Sequence, residues 1–156
     1  MSRFICCICA VALVACGKSE PKPAAETLGA GAAAPMPTAA LSLGDIAGTW
    51  TMRTMMEGKD SALVTYTMVA TADPAGWVIN FPNRKPLPIR VVAVAGDSVV
   101  TESGPYESVL RKGVQVTTRT VSRLRDGHLV GSTVAHYKTT GADSVLNLRA
   151  EGTRAP

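Results

Sequence analysis

The run Val114-Gln-Val-Thr-Thr-Arg-Thr-Val-Ser-Arg-Leu-Arg125, then Asp126-Gly127, then His128-Leu-Val-Gly-Ser-Thr-Val-Ala-His-Tyr-Lys-Thr139, decides the fold class. Two segments rich in Val and Thr flank an Asp-Gly pair, and Asp-Gly tolerates the two successive positive φ angles that a tight hairpin turn needs. The same pattern repeats upstream and downstream. Thr49–Met56, Ala62–Thr71, Gly76–Phe81, Leu87–Ala95, Ser98–Glu102, Pro105–Leu110 and Asp143–Glu151 read as further strands, with turn residues about every ten positions. The two segments around Gly104-Pro105 can also form one long, interrupted strand. Short separations and no intervening helix predict an antiparallel meander of about eight strands. A sheet of that size has two edges to hide, and closure into an up-and-down barrel hides them. The expected fold is therefore all-β.

Alternation along the strands assigns an inner face. Trp50 and Met52, then Val64, Tyr66 and Met68, then Trp77, Ile79 and Phe81, then Ile89, Val91 and Ala93 each share one side of their strand. Val114 and Val116 alternate with Gln115 and Thr117, and Leu146 and Leu148 with Asn147 and Arg149. Arg119, Arg123 and Arg125 fall together on the outside. The His128–Thr139 strand has two half-apolar faces and takes no assignment.

Upstream, the composition divides the chain. Met1-Ser2-Arg3 is a short basic start, and Phe4 to Ala15 is an uncharged apolar run, too short to span a bilayer. Residues 17–40 hold Pro21, Pro23, Pro35 and Pro37 among Ala, Gly and Ser, with charges that cancel. Such a segment buries too little apolar surface to order itself, so a flexible, disordered linker is expected. The organisation predicted is residues 1–15 as signal peptide, 16–40 as modified N-terminus and linker, and 41–156 as the barrel domain. All four cysteines, Cys6, Cys7, Cys9 and Cys16, stand in the first sixteen residues. The barrel has no thiol for a disulfide, a metal site or a nucleophile.

Two resemblances add to this. Leu13-Val14-Ala15-Cys16 resembles the bacterial lipoprotein lipobox, which implies cleavage before Cys16 and diacylglyceryl modification of its thiol. That resemblance implies a membrane-anchored protein of the bacterial cell envelope. Gly17, in place of a retention aspartate, favours the outer membrane, facing the periplasm. The second is Gly48-Thr49-Trp50, standing before the meander after one short turn of chain. It is similar to the Gly-x-Trp signature of lipocalins and their calycin relatives. In that family the Trp plugs the closed end of the barrel and a basic residue from the last strand region lies across it, a part that falls to Arg149 or, as the second choice, Arg154. The resemblance implies a site for a small apolar or amphipathic ligand, walled by Trp50, Tyr66, Trp77 and Phe81. The chain departs from the family in its short domain and in lacking a C-terminal helix and disulfides. A barrel this small can be filled by its own side chains, which makes a non-catalytic envelope interaction or structural module the alternative.

The sequence offers few groups for catalytic or metal chemistry. Gly96-Asp97-Ser98 resembles the nucleophile block of GDS-type hydrolases, but a strand follows it where that family has a helix, so a hairpin turn is the better reading. His128 and His136 share a face but stand eight residues apart, about 26 Å along a strand, too far to hold one metal. Glu102 and Glu107 are the best carboxylate pair, and solvated strand edges explain them equally well. No base–nucleophile pair appears, so no enzyme is expected, and no cofactor or metal. The net charge of +4 comes from 16 basic and 12 acidic side chains. The arginine stripe has no interleaved aromatics, so nucleic acid is not an expected partner. The Phe81–Pro88 stretch reads as a rigid, basic connector.

The anchor is tested by metabolic labelling with radioactive palmitate: Cys16 predicts that the label disappears in a Cys16→Ala strain, and undiminished labelling contradicts it.

Overall fold

A computed structural model describes residues 40–156; the expected signal peptide, Cys16 and all but the last residue of the expected linker lie outside the described residues. Eight antiparallel strands follow one another around a closed barrel. They are β1 (Gly48–Met56), β2 (Ala62–Ala70), β3 (Val78–Asn80), β4 (Leu87–Ala95), β5 (Ser98–Glu107), β6 (Gln115–Arg125), β7 (His128–Tyr137) and β8 (Val145–Arg154). β8 returns to β1, from Trp50↔Arg154 to Met56↔Leu148, and this seam closes the sheet. The Asp126-Gly127 turn takes the form expected of it, with φ of 50° and 78°, and pairs Arg125 with His128. β5 is one strand. Its register shifts between Ser103 and Tyr106, where the Gly104–Pro105 peptide is cis.

The inward set is apolar at the closed end. Ile46, Trp50, Met52, Met68, Ala70, Trp77, Ile79, Ile89, Val99, Leu129 and Ala150 pack there as one buried cluster. Val116, Ala135, Tyr137 and Leu148 form a second cluster. The outer faces carry Arg90, Glu102, Arg119, Arg123 and His136. That is the reverse of a lipid-facing barrel, whose exterior is apolar.

One face assignment is corrected. Ala93 is exposed, away from Ile89 and Val91, because β4 bulges between Val91 and Ala93. The extra residue, Val92, shifts the alternation by one and turns Ala93 outward.

The chain enters β1 through a single helical turn, α1 (Leu43–Ile46). Ser42 and Asp45 cap it reciprocally, each side chain holding the other residue's backbone N–H. This turn places the Ile46 carbonyl over the barrel end, where the Trp50 Nε1 donates to it at 2.8 Å. Trp50 is wholly buried. The arginine across it is Arg154, with the guanidinium carbon 4.5 Å from the ring centroid. Arg154 also donates to the carbonyls of Ala47 (2.8 Å) and Asp45 (2.7 Å). Gly48 leaves the room for this: a Cβ there would lie 2.5 Å from the Arg154 Nη1.

The first choice of Arg149 is thereby corrected, and the strand register gives the reason. Arg149 pairs with Met55, five positions along the strand from Trp50 and about 16 Å away. It binds Asp60 at 2.8 Å and lies over the buried Met55 at the other end of the barrel.

Two substitutions separate these roles. Arg154→Ala is expected to cost about 2 kcal/mol, for two charged hydrogen bonds and a cation–π contact. Arg149→Ala, which removes an exposed ion pair, costs about 0.5 kcal/mol. Urea unfolding of both variants checks the order, and a larger loss at Arg149 contradicts it.

Candidate functional site

The barrel interior is nearly full. Two internal spaces among the described residues measure about 60 Å³ and 20 Å³. The larger is a chamber above the Trp50 plug. Tyr66, Phe81, Tyr106 and Tyr137 line it, together with the hydroxyls of Thr54, Thr118, Thr120 and Thr133. Its volume equals about two water molecules. Ligand sites run to roughly 300 Å³ and more.

The four aromatic residues chosen from the sequence divide between two levels. Trp50 and Trp77 are packed into the closed end, and the Trp77 Nε1 donates to the Thr71 carbonyl at 2.8 Å. Tyr66 and Phe81 face the chamber, with ring centroids 5.2 Å apart. Tyr106 continues the row, 5.9 Å from Phe81. Sequence reasoning missed Tyr106, Tyr137 and the hydroxyls. The signal for the hydroxyls was the inward set of β6, which reads Val116, Thr118, Thr120, Ser122 and Leu124.

The residues after β5 close the chamber. Ser108, Val109 and Leu110 reach over it. The Ser108 hydroxyl accepts from the backbone N–H of Leu110 and Arg111, both at 3.0 Å. Arg84, from the basic Phe81–Pro88 connector, donates to the carbonyls of Glu107 and Ser108. Arg111 lies 4.1 Å over the Tyr137 ring and donates to the Asp143 carbonyl at 2.7 Å. The proline-rich connector is thus tied to this cap.

Burial pushes the Tyr66 hydroxyl up to about 12; a hydrogen bond with Thr54 opposes the rise and the neighbouring Tyr106 adds to it. Tyr106 is raised for the same first reason, against a hydrogen bond with Thr118. Both stay neutral hydrogen-bonding groups at neutral pH.

A much larger space lies outside. A groove of about 810 Å³ crosses the outer surface from the Pro74–Ala75 turn over β4, β5 and β6 to His136 on β7. An adjoining hollow of about 260 Å³ extends it past Pro105, Gln115 and Lys138. Register explains the shape. Arg90 pairs with Glu102 and Glu102 with Arg119, so three outward side chains from three strands form one transverse row. Glu102 bridges the two guanidiniums, one carboxylate oxygen to each. Beside the row, within the β5 register shift, Gly104 packs against the β6 backbone at Val116 and Thr117 and puts no side chain into the depression. A Cβ at Gly104 would lie 2.6 Å from the Val116 carbonyl oxygen.

The remaining candidates have plain structural roles. The Asp97 carboxylate binds Arg123 and Arg125, and the Ser98 hydroxyl donates to it at 2.9 Å, so Gly96-Asp97-Ser98 is the β4–β5 hairpin. Ser98 first, then the arginines, hold Asp97 below the usual carboxylate range; Arg119, then Arg90, do so for Glu102. Glu107 accepts from the Gly113 N–H at 3.0 Å and shares no partner with Glu102. Among the described residues, no three His, Cys, Asp or Glu side chains converge to hold a metal ion.

Comparison of the chain with protein-family models, with curated proteins and with solved structures finds no match.

The raised Tyr66 hydroxyl predicts an alkaline sign. The folded state keeps this proton up to about 12, whereas the unfolded chain releases it near 10. The stability it brings is complete below about pH 10 and falls by about 1.4 kcal/mol per pH unit up to the folded value. Urea midpoints at about pH 9.5 and 11.5 should fall less in Tyr66→Phe than in the parent chain; equal falls contradict this.

Proposed function

We propose that the chain is a bacterial envelope lipoprotein, anchored through Cys16, whose filled barrel is a non-catalytic interaction module working from its outer surface. The observation that carries this reading is a contrast of volumes. The interior keeps about 60 Å³ and 20 Å³, while the outer groove holds about 810 Å³. The anchor rests on the lipobox residues, and the outer membrane facing the periplasm is the address that Gly17 favours. The tether would hold a soluble barrel near the membrane, with its charged strands free to meet a protein partner.

A second reading keeps the small apolar or amphipathic ligand inside the barrel. What favours it is the chamber itself: aromatic walls, a belt of hydroxyls and a separate cap over the mouth, built from Ser108, Val109 and Leu110. Occupation requires that cap to move aside, since the free volume admits no ligand-sized molecule.

Ligand-induced stabilisation separates the two. A ligand at a hundred times its Kd adds about 2.7 kcal/mol, which raises the Tm of a domain this size by roughly 10 °C. The purified chain carrying Cys16→Ser is to be tested against fatty acids, lysophospholipids and an anthracene dye. The interaction-module reading predicts no rise in Tm and no change in tryptophan emission. A rise of several degrees with quenching favours the interior site and overturns the first reading.

A further inference from the structure

We infer that the transverse groove binds an extended, acidic segment of a protein partner; this rests on the reading of the barrel as an interaction module. Its wall and floor set the chemistry. The wall is the Arg90–Glu102–Arg119 row, from three adjacent strands, and both guanidiniums converge on the one Glu102 carboxylate, so their charged ends stand within roughly 7 Å of each other. A guanidinium has five N–H donors in a fixed fork that matches a carboxylate. Glu102 engages one nitrogen of each arginine, and their side chains remain 71% and 51% exposed. The row therefore carries a surplus positive charge and unspent donors. Lys138 adds a further cation at the far end of the adjoining hollow. The floor is Pro88, Gly104 and Thr117, and His136 stands at its end.

Length and spacing favour a peptide. From β4 to β7 the groove crosses three strand spacings, about 14 Å, which an extended chain covers in about four residues. Carboxylates two residues apart share one face of such a chain and lie about 7 Å from one another, matching the two guanidiniums. No Trp, Tyr or Phe side chain lines the groove, so a sugar ring lacks the broad face it would stack on. The exterior also carries its own control. Arg123 and Arg125 bridge Asp97 as Arg90 and Arg119 bridge Glu102, with the same net charge. That second triad lies outside the groove lining. An anionic membrane surface, being flat, would draw on both triads. A peptide seated in the groove depends on the first alone.

The probe is a fluorescein-labelled peptide of four Glu-Thr repeats, with a Gln-Thr counterpart, titrated by anisotropy against the full chain carrying Cys16→Ser. Binding of the glutamate peptide and none of the glutamine peptide is expected. The double variant R90Q/R119Q should weaken it at least about tenfold, and R123Q/R125Q less than about twofold. Thr117→Trp, at an exposed floor position, should abolish binding with charge unchanged, its fold checked by circular dichroism. Absence of glutamate-peptide binding overturns the inference, as does equal weakening by the two double variants. Binding of phosphatidylglycerol vesicles or oligogalacturonate through the groove, without the peptide, overturns it too. If the peptide fails while lipids and dyes leave Tm unmoved, only this inference falls. If lipids or dyes stabilise the chain, the interaction-module reading falls with it.

Discussion

Everything in this barrel depends on the return of its last strand to its first. β8 pairs with β1 from Trp50↔Arg154 to Met56↔Leu148, and that seam leaves the sheet no open end. The seam also sets Arg154 directly opposite Trp50. The arginine then covers the indole and binds the carbonyls of Ala47 and Asp45, so the α1 turn, the first strand and the last are fixed together. A single glycine, Gly48, leaves room for the guanidinium. Closure and plugging are one arrangement, because the same register supplies both.

Once closed, a small barrel has little interior to share. The closed end is filled by Trp50, Trp77, Met52, Met68 and their neighbours. Above them stand threonine hydroxyls and three tyrosines; Thr120 and Thr133 are hydrogen-bonded at 2.8 Å, and Tyr66 and Tyr106 bond with Thr54 and Thr118. Such pairing offsets the cost of burying hydroxyls, and the remaining space is that of about two waters. The larger open space lies on the outside. There the same strand register that closes the barrel lines up Arg90, Glu102 and Arg119 across three strands, beside a position where Gly104 leaves a depression.

The fold was legible because its signals are local. Asp126-Gly127 marks its own turn, and alternation of Val, Thr and Leu marks the strands on either side. Even the interruption at Gly104-Pro105 is visible as a break within one strand. What was not legible depends on pairing between distant segments. Choosing Arg154 over Arg149 requires the register of β8 on β1, about a hundred residues away in sequence, and nothing local distinguishes the two arginines. The Val92 bulge is similar: alternation predicts Ala93 inward, and one extra residue against Val100 turns it outward. The groove lay further out of reach. Its row comes from β4, β5 and β6, and its residues read singly as solvated charges. The chamber was half visible, since Tyr66 and Phe81 lie on faces that alternation identifies. Tyr106 lies beyond a register shift, and Tyr137 on a strand whose two faces look alike.

The central claim is that this barrel is filled by its own side chains. A crystal structure of the chain purified from its own host, at a resolution that shows ordered water, tests it most directly. The account predicts about two waters in the chamber, bonded to the threonine and tyrosine hydroxyls, beneath a closed Val109–Leu110 cap. Continuous elongated density between Tyr66 and Tyr137, with that cap displaced, would contradict it.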